Sequence, residues 1–123
     1  MASPHLKLIV IRAADIERTA DFYRCLGFEF IPEQHGTGPL HFAANAAGIV
    51  FEIYPAKSLE EVDRTTRLGF GVGNLAGVCE SLRAKQFEVP QDPRDTPWGT
   101  RSLSRDPDGR TVELYEDRTE EAP

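Results

Sequence analysis

Histidine, cysteine and tryptophan are scarce in this 123-residue chain, with three, two and one respectively. The two cysteines, Cys25 and Cys79, fall in helix-like stretches and show no C-x-x-C spacing. They are expected as buried or half-buried free thiols rather than as a metal site, a disulfide framework or a nucleophile. Positive charge is in deficit, with 14 Lys and Arg against 20 Asp and Glu and a net charge of −6. Without a basic stripe, neither nucleic acid nor an anionic membrane surface is an expected partner. Long apolar runs are missing as well. The longest aliphatic run, Leu8 to Ile11, is far too short to span a bilayer, and the first residues lack a signal-peptide apolar region and cleavage site. A cytoplasmic protein is the expectation. The length suits a single domain, 1–123, and any subdivision is then internal.

What the sequence does have is a repeat. The segment DIERTADFYRCLGFEFI from Asp15 aligns with NLAGVCESLRAKQFEVP from Asn74 at a shift of 59, pairing Ile16 with Leu75, Ala20 with Cys79, Tyr23 with Leu82 and Phe28 with Phe87. Each reads as an amphipathic helix with Asp15 or Asn74 at the N-cap, running into a short strand. Upstream, LKLIVIR and RLGFGVG read as strands that the same shift pairs, Leu8 with Arg67 on one face and Ile9 with Leu68 on the other. Downstream, GIVFEIYP and GRTVELYE are related at a shift of 61, so Glu113 has a twin in Glu52. Further strands are expected near 29–32, 39–44, 87–90 and 100–105, with HGTGP and DPRDTPWGT as turns. The tail EDRTEEAP is charged and is expected to fray.

The predicted fold class is therefore α+β, two βαβββ modules at about 5–55 and 66–116, joined by PAKSLEEVDRTT as a loop or short helix. One helix covers one face of each four-stranded sheet. The bare faces carry Leu8, Glu52, Arg67 and Glu113, since the two-residue strand period sets Glu113 and Tyr115 opposite Val112 and Leu114. Gly69, Gly71 and Gly73 follow Arg67 on its face and leave space above the strand. A pocket is favoured there over a solvated face.

The paired βαβββ pattern, the helix entry DIERTADFYRCLGF and the ending DPDGRTVEL resemble the vicinal oxygen chelate superfamily, which includes glyoxalase I, bleomycin-resistance binding proteins, fosfomycin-resistance transferases and extradiol dioxygenases. The resemblance covers nearly the whole chain. It implies paired modules forming a curved half-open barrel, often completed by a second subunit, so a homodimer is expected. It also implies metal ligands on the first and last strands of each module, which here are Leu8, Glu52, Arg67 and Glu113. Leucine has no lone pair and a guanidinium only donates, so the positions read as a degenerate metal site. Two carboxylates alone are a poor site for Zn²⁺, Ni²⁺ or Fe²⁺, and no cofactor is expected.

The histidines offer no obvious replacement. His5 is an odd offset from Leu8, and His35 lies in the Gly/Pro-rich loop. His41 lies on a predicted strand and reads as a half-buried polar residue or a ligand contact. Two carboxylates facing one cavity raise each other's pKa, and Arg67 could bridge either one as a structural ion pair or anchor an anionic or carbonyl-bearing ligand. Trp98 reads as a stacking wall or as core, while Tyr54 and Tyr115 fall on the glutamate face. Two functions compete. One is metal-independent small-molecule binding. The other is a lyase or isomerase similar to glyoxalase I (lactoylglutathione lyase) or an epimerase, with Glu52 and Glu113 as catalytic candidates.

Overall fold

Asp15 and Asn74 open the two helices where the repeat places them. In the computed structural model, which describes residues 2–116, the Asp15 carboxylate accepts from the Arg18 amide at 3.1 Å and the Asn74 side-chain oxygen accepts from the Gly77 amide at 3.0 Å. Each bond satisfies an amide that the first helical turn leaves without a partner. The first helix ends on Gly27, whose φ of 117° is a backbone state open to glycine at little cost.

The described residues divide into two compact units between Asp63 and Arg64. The first runs β1 (Leu8–Ala13), α1 (Ile16–Leu26), β2 (Ile31–Glu33), β3 (His41–Ala46) and β4 (Ile49–Pro55), with strand order β1-β4-β3-β2. The second runs β5 (Leu68–Gly71), α2 (Leu75–Ala84), β6 (Glu88–Thr96), β7 (Gly99–Arg105) and β8 (Thr111–Glu116), with order β5-β8-β7-β6. In each sheet the first and last strands pair in parallel and the other pairs are antiparallel. The fold class is α+β with a βαβββ order in both units, and neither sheet closes into a barrel. The connecting PAKSLEEVDRTT contains a short 3₁₀ turn, Leu59–Glu61.

In the first unit, α1 buries Thr19, Ala20, Phe22 and Tyr23 toward β3 and β4. Tyr23, Phe28 and Phe30 gather edge-on around Phe51, with ring centroids 4.9, 5.2 and 5.7 Å away. Burying a ring of this size stabilises by about 1.5–3 kcal/mol, so this cluster fixes which face of the sheet the helix covers. In the second unit, Leu75, Cys79 and Leu82 of α2 are buried, as are Val112 and Leu114 of β8. Cys79 is a buried free thiol whose Sγ lies 3.5 Å from Ser102 Oγ, and Cys25 is a half-buried one.

The DPDG motif is a structural turn. Asp106 accepts from the amides of Asp108 and Arg110 and from Arg110 Nη1 at 3.0 Å, and the Arg110 side chain is fully buried with it. The turn joins β7 to β8 and so helps fix the register that presents Glu113. Two expectations need correction. The DPRDT stretch, read as part of a turn, is strand: β6 continues through it to Thr96 with register shifts after Glu88 and after Gln91. As an edge strand it tolerates Pro90 and Pro93, whose missing amides need no ladder partner there. Glu116, the first residue after Tyr115 in the tail, belongs to β8 and accepts from the Leu75 amide at 2.8 Å. The rest of the tail lies outside the described residues.

Candidate functional site

β8 lies between β5 and β7, and alternation along it buries Val112 and Leu114 under α2 while Glu113 and Tyr115 rise from the other face. Glu113 lies opposite Gly69 on one side and Leu103 on the other, with Arg101 opposite Tyr115. This register brings four donors onto one carboxylate. Arg67 Nε donates to Glu113 Oε2 at 2.5 Å, while Arg101 donates to Oε1 from Nε at 3.0 Å and Nη2 at 2.7 Å. The Tyr115 hydroxyl donates to the same Oε1 at 2.7 Å. A side chain at Gly69 would lie against the Tyr115 ring and Glu113 Cβ, and glycine leaves that space open.

The electrostatic result is a carboxylate held ionised. The Tyr115 hydroxyl, then Arg67 and then Arg101 favour the charged form against partial desolvation, so the Glu113 carboxyl falls from 4.5 to about 2. In return, hydrogen bonding to Glu113 raises the pKa of both Arg101 and Tyr115. Two guanidinium groups against one carboxylate leave this cluster net positive. Of the two glutamates Arg67 could bridge, it reaches Glu113, through Nε alone, and the paired contact comes from Arg101.

The first unit carries the equivalent positions with different chemistry. Val10 and Ala43 flank Glu52 as Gly69 and Leu103 flank Glu113, so the shifts read in the sequence for the first and last strands recur in the strand register. Continuing that register sets His41 and Tyr54 where the second unit has Arg101 and Tyr115. His41 Nε2 is 3.7 Å from Glu52 Oε2 and 3.4 Å from Glu33 Oε1, and its ring stacks on Tyr54 at 4.1 Å with an interplanar angle of 8°. Arg12 lies over the other aromatic neighbour of this stack, 5.0 Å from the Tyr54 ring centre. His41 is only 1% exposed, so it is a buried residue and not the half-buried one expected.

Leu8, in the position equivalent to Arg67, is exposed. Glu52 therefore has nothing like the four donors of Glu113. Trp98 is 80% exposed in the turn between β6 and β7, which excludes the core role. His5 precedes β1 and is exposed. Above β2, β3 and β4 of the first unit lies an open groove of about 380 Å³, lined by Glu29, Ile31, Glu33, Ala43, Asn45 and Val50.

The family's metal positions do not fit a divalent ion in this chain. Arg67 is a cation, Leu8 has no donor atom, and both oxygens of Glu113 are already engaged by arginine and tyrosine. Arg101 and Glu33 were not anticipated. Both follow from strand pairing: Arg101 sits directly across from Tyr115, and Glu33 directly across from His41.

The model of the Glyoxalase/Bleomycin resistance protein/Dioxygenase superfamily matches residues 5–114. No curated protein matches the sequence. Among solved structures, the chain is similar to TnmS3, an antibiotic binding protein from Streptomyces sp. CB03234, with 24% identity, a TM-score of 0.72 and coverage of 96% of this chain and 99% of that one. It is similar to a glyoxylase/bleomycin resistance protein/dioxygenase domain from Frankia sp. EAN1pec, with 17% identity, a TM-score of 0.73 and coverage of 95% and 100%. TioX from Micromonospora sp. ML1 has 19% identity, a TM-score of 0.71 and coverage of 94% and 100%. At these identities the likeness is one of fold.

Proposed function

The chain belongs to the Glyoxalase/Bleomycin resistance protein/Dioxygenase superfamily, and from that premise we propose that it binds a small organic molecule bearing an anionic or carbonyl group, with no metal at Leu8, Glu52, Arg67 and Glu113. The observation that carries this reading is the saturation of Glu113 by Arg67, Arg101 and Tyr115. A carboxylate whose conjugate acid has a pKa of about 2 is a weak general base at neutral pH, and its lone pairs are already directed at donors. What remains available is positive. Arg67 is half exposed and shares Glu113 with a second arginine, so the cluster can offer donors to an incoming acceptor while Glu113 holds the guanidinium groups in place.

In this reading Glu113 is a positioning residue, Arg67 and Arg101 contact the ligand, and Tyr115 and the exposed Trp98 supply aromatic surface. Tyr54, stacked on His41, supplies the corresponding surface in the first unit. The antibiotic-binding activity named for TnmS3 supports a binding role in this fold. The competing lyase or isomerase reading now draws on Glu52 alone, because both oxygens of Glu113 are occupied by arginine and tyrosine donors.

Native mass spectrometry of the untreated protein, together with elemental analysis, tests the proposal. The expected result is a non-covalent organic adduct that is lost in Arg67→Ala and Arg101→Ala. A chain that carries no adduct and turns over in a lactoylglutathione lyase assay, with turnover lost in Glu52→Gln, would replace this reading with the catalytic one.

A further inference from the structure

Beyond that reading, and away from the superfamily's ligand positions, we propose that Glu33, His35 and His41 form a site for one divalent transition cation of the Zn²⁺ class on the first unit. Glu33 ends β2 and His41 begins β3, and their antiparallel register sets the two directly opposite each other on one face. His35 follows in the connecting loop. There the Gly38 amide donates to the His35 carbonyl at 2.9 Å and Gln34 Nε2 donates to the Gly38 carbonyl at 2.9 Å, so the loop is closed on itself and presents the ring. One carboxylate oxygen and two ring nitrogens converge within 4.8 Å of one another.

Two of the three separations match a coordination shell, and the third is within 4.8 Å. His41 Nε2 and His35 Nε2 stand 3.4 and 3.5 Å from the same Glu33 Oε1. Atoms held about 2.0–2.2 Å from a tetrahedral zinc are roughly 3.3–3.6 Å apart along each edge. Imidazole and carboxylate together suit zinc and its neighbours better than calcium or magnesium.

His41 points to the same conclusion independently. Its Nδ1 lies 3.2 Å from the Pro39 carbonyl oxygen, which can only accept, so a neutral ring bonded there carries its proton on Nδ1 and presents the Nε2 lone pair. Nε2 is buried, makes no hydrogen bond, and points toward Glu33. A metal-ligating histidine is commonly oriented by donating its other ring nitrogen to a backbone carbonyl, and stacking on Tyr54 fixes the plane of this one. Glu52, 3.7 Å from the same nitrogen, adds negative potential that favours a dication. Glu33 and His35 are both solvent-accessible, Glu33 also lines the groove above β2 and β3, and a fourth coordination position stays open to water or a ligand atom. The sequence sets His35 in a loop and His41 on a strand, and the antiparallel pairing of β2 with β3 is what brings both to Glu33.

The test uses the full chain, stripped with a chelator and titrated with Zn²⁺ by calorimetry and with Co²⁺ by visible absorption. The expected result is one equivalent bound with tetrahedral Co²⁺ bands. Affinity should fall on the order of tenfold or more in both His35→Ala and Glu33→Gln and stay unchanged in the exposed control His5→Ala. His35 is exposed, so its replacement leaves the fold intact. The proposal is overturned by absence of binding at micromolar metal, by binding that survives either substitution, or by equal loss in His5→Ala.

Discussion

Glu113 accepts four hydrogen bonds from three side chains, and each donor has a different consequence when removed. Its folded pKa of about 2 lies below the ordinary 4.5, so ionised Glu113 contributes stability above pH 4.5 that is lost as pH falls toward 2. Urea denaturation across that window should show a slope that flattens in Glu113→Gln, and in Tyr115→Phe the total loss should be smaller and should end at higher pH, because the hydroxyl is the largest cause of the shift. Arg67 is 54% exposed, so Arg67→Ala is expected to cost no more than about 1 kcal/mol. Arg101→Ala should be the more destabilising of the two, since it removes two donors from a less exposed contact, and chemical denaturation orders them. The Arg67 contact was legible because the repeat sets Arg67 at the start of one strand and Glu113 on another, and Arg67 directly precedes β5. Arg101 was not, because its position depends on the cross-strand register of β7, which no local pattern encodes.

Each helix start is a local feature, and local features were read well. An Asp or Asn followed by an apolar period of three and four is enough to place α1 at Ile16 and α2 at Leu75, since the cap chemistry involves residues only three apart. Asp15→Ala removes the acceptor for the Arg18 amide and should cost about 1 kcal/mol, measured as a shift in thermal or urea midpoint, with Asp15→Ser largely restoring it. The extension of the edge strand β6 beyond Pro90 is not local in this way. Pro93 is a strong turn signal in isolation, and only the strand's place at the edge of its sheet, with bulges, makes it compatible with β structure. The β2–β3 hairpin was placed to within about two residues. That error hid the pairing of Glu33 with His41.

At the scale of the whole molecule, the repeat accounts for both βαβββ units, and the superfamily match spans them together. We propose that residues 1–123 act as one domain and that the assembly is a homodimer. In support, Leu8, Val10 and Ile31 lie on the helix-free face of the first sheet and are each more than 40% exposed, an apolar surface that a soluble chain tends to cover. Light scattering at tens of micromolar should give twice the chain mass, and a monomer mass would remove the dimer. No helix among the described residues is long and apolar enough to cross a membrane. We propose that the Arg67–Arg101–Glu113 cluster binds an anionic or carbonyl-bearing molecule. A nuclear magnetic resonance titration of the full chain with matched anionic and neutral fragments, following the Arg67 and Arg101 Nε–H and Tyr115 amide signals, tests it most directly. Saturable shifts at these three residues with the anionic fragments, abolished in Arg101→Ala, are the predicted result; signals that stay unmoved by every fragment, or that move equally in Arg101→Ala, would contradict it.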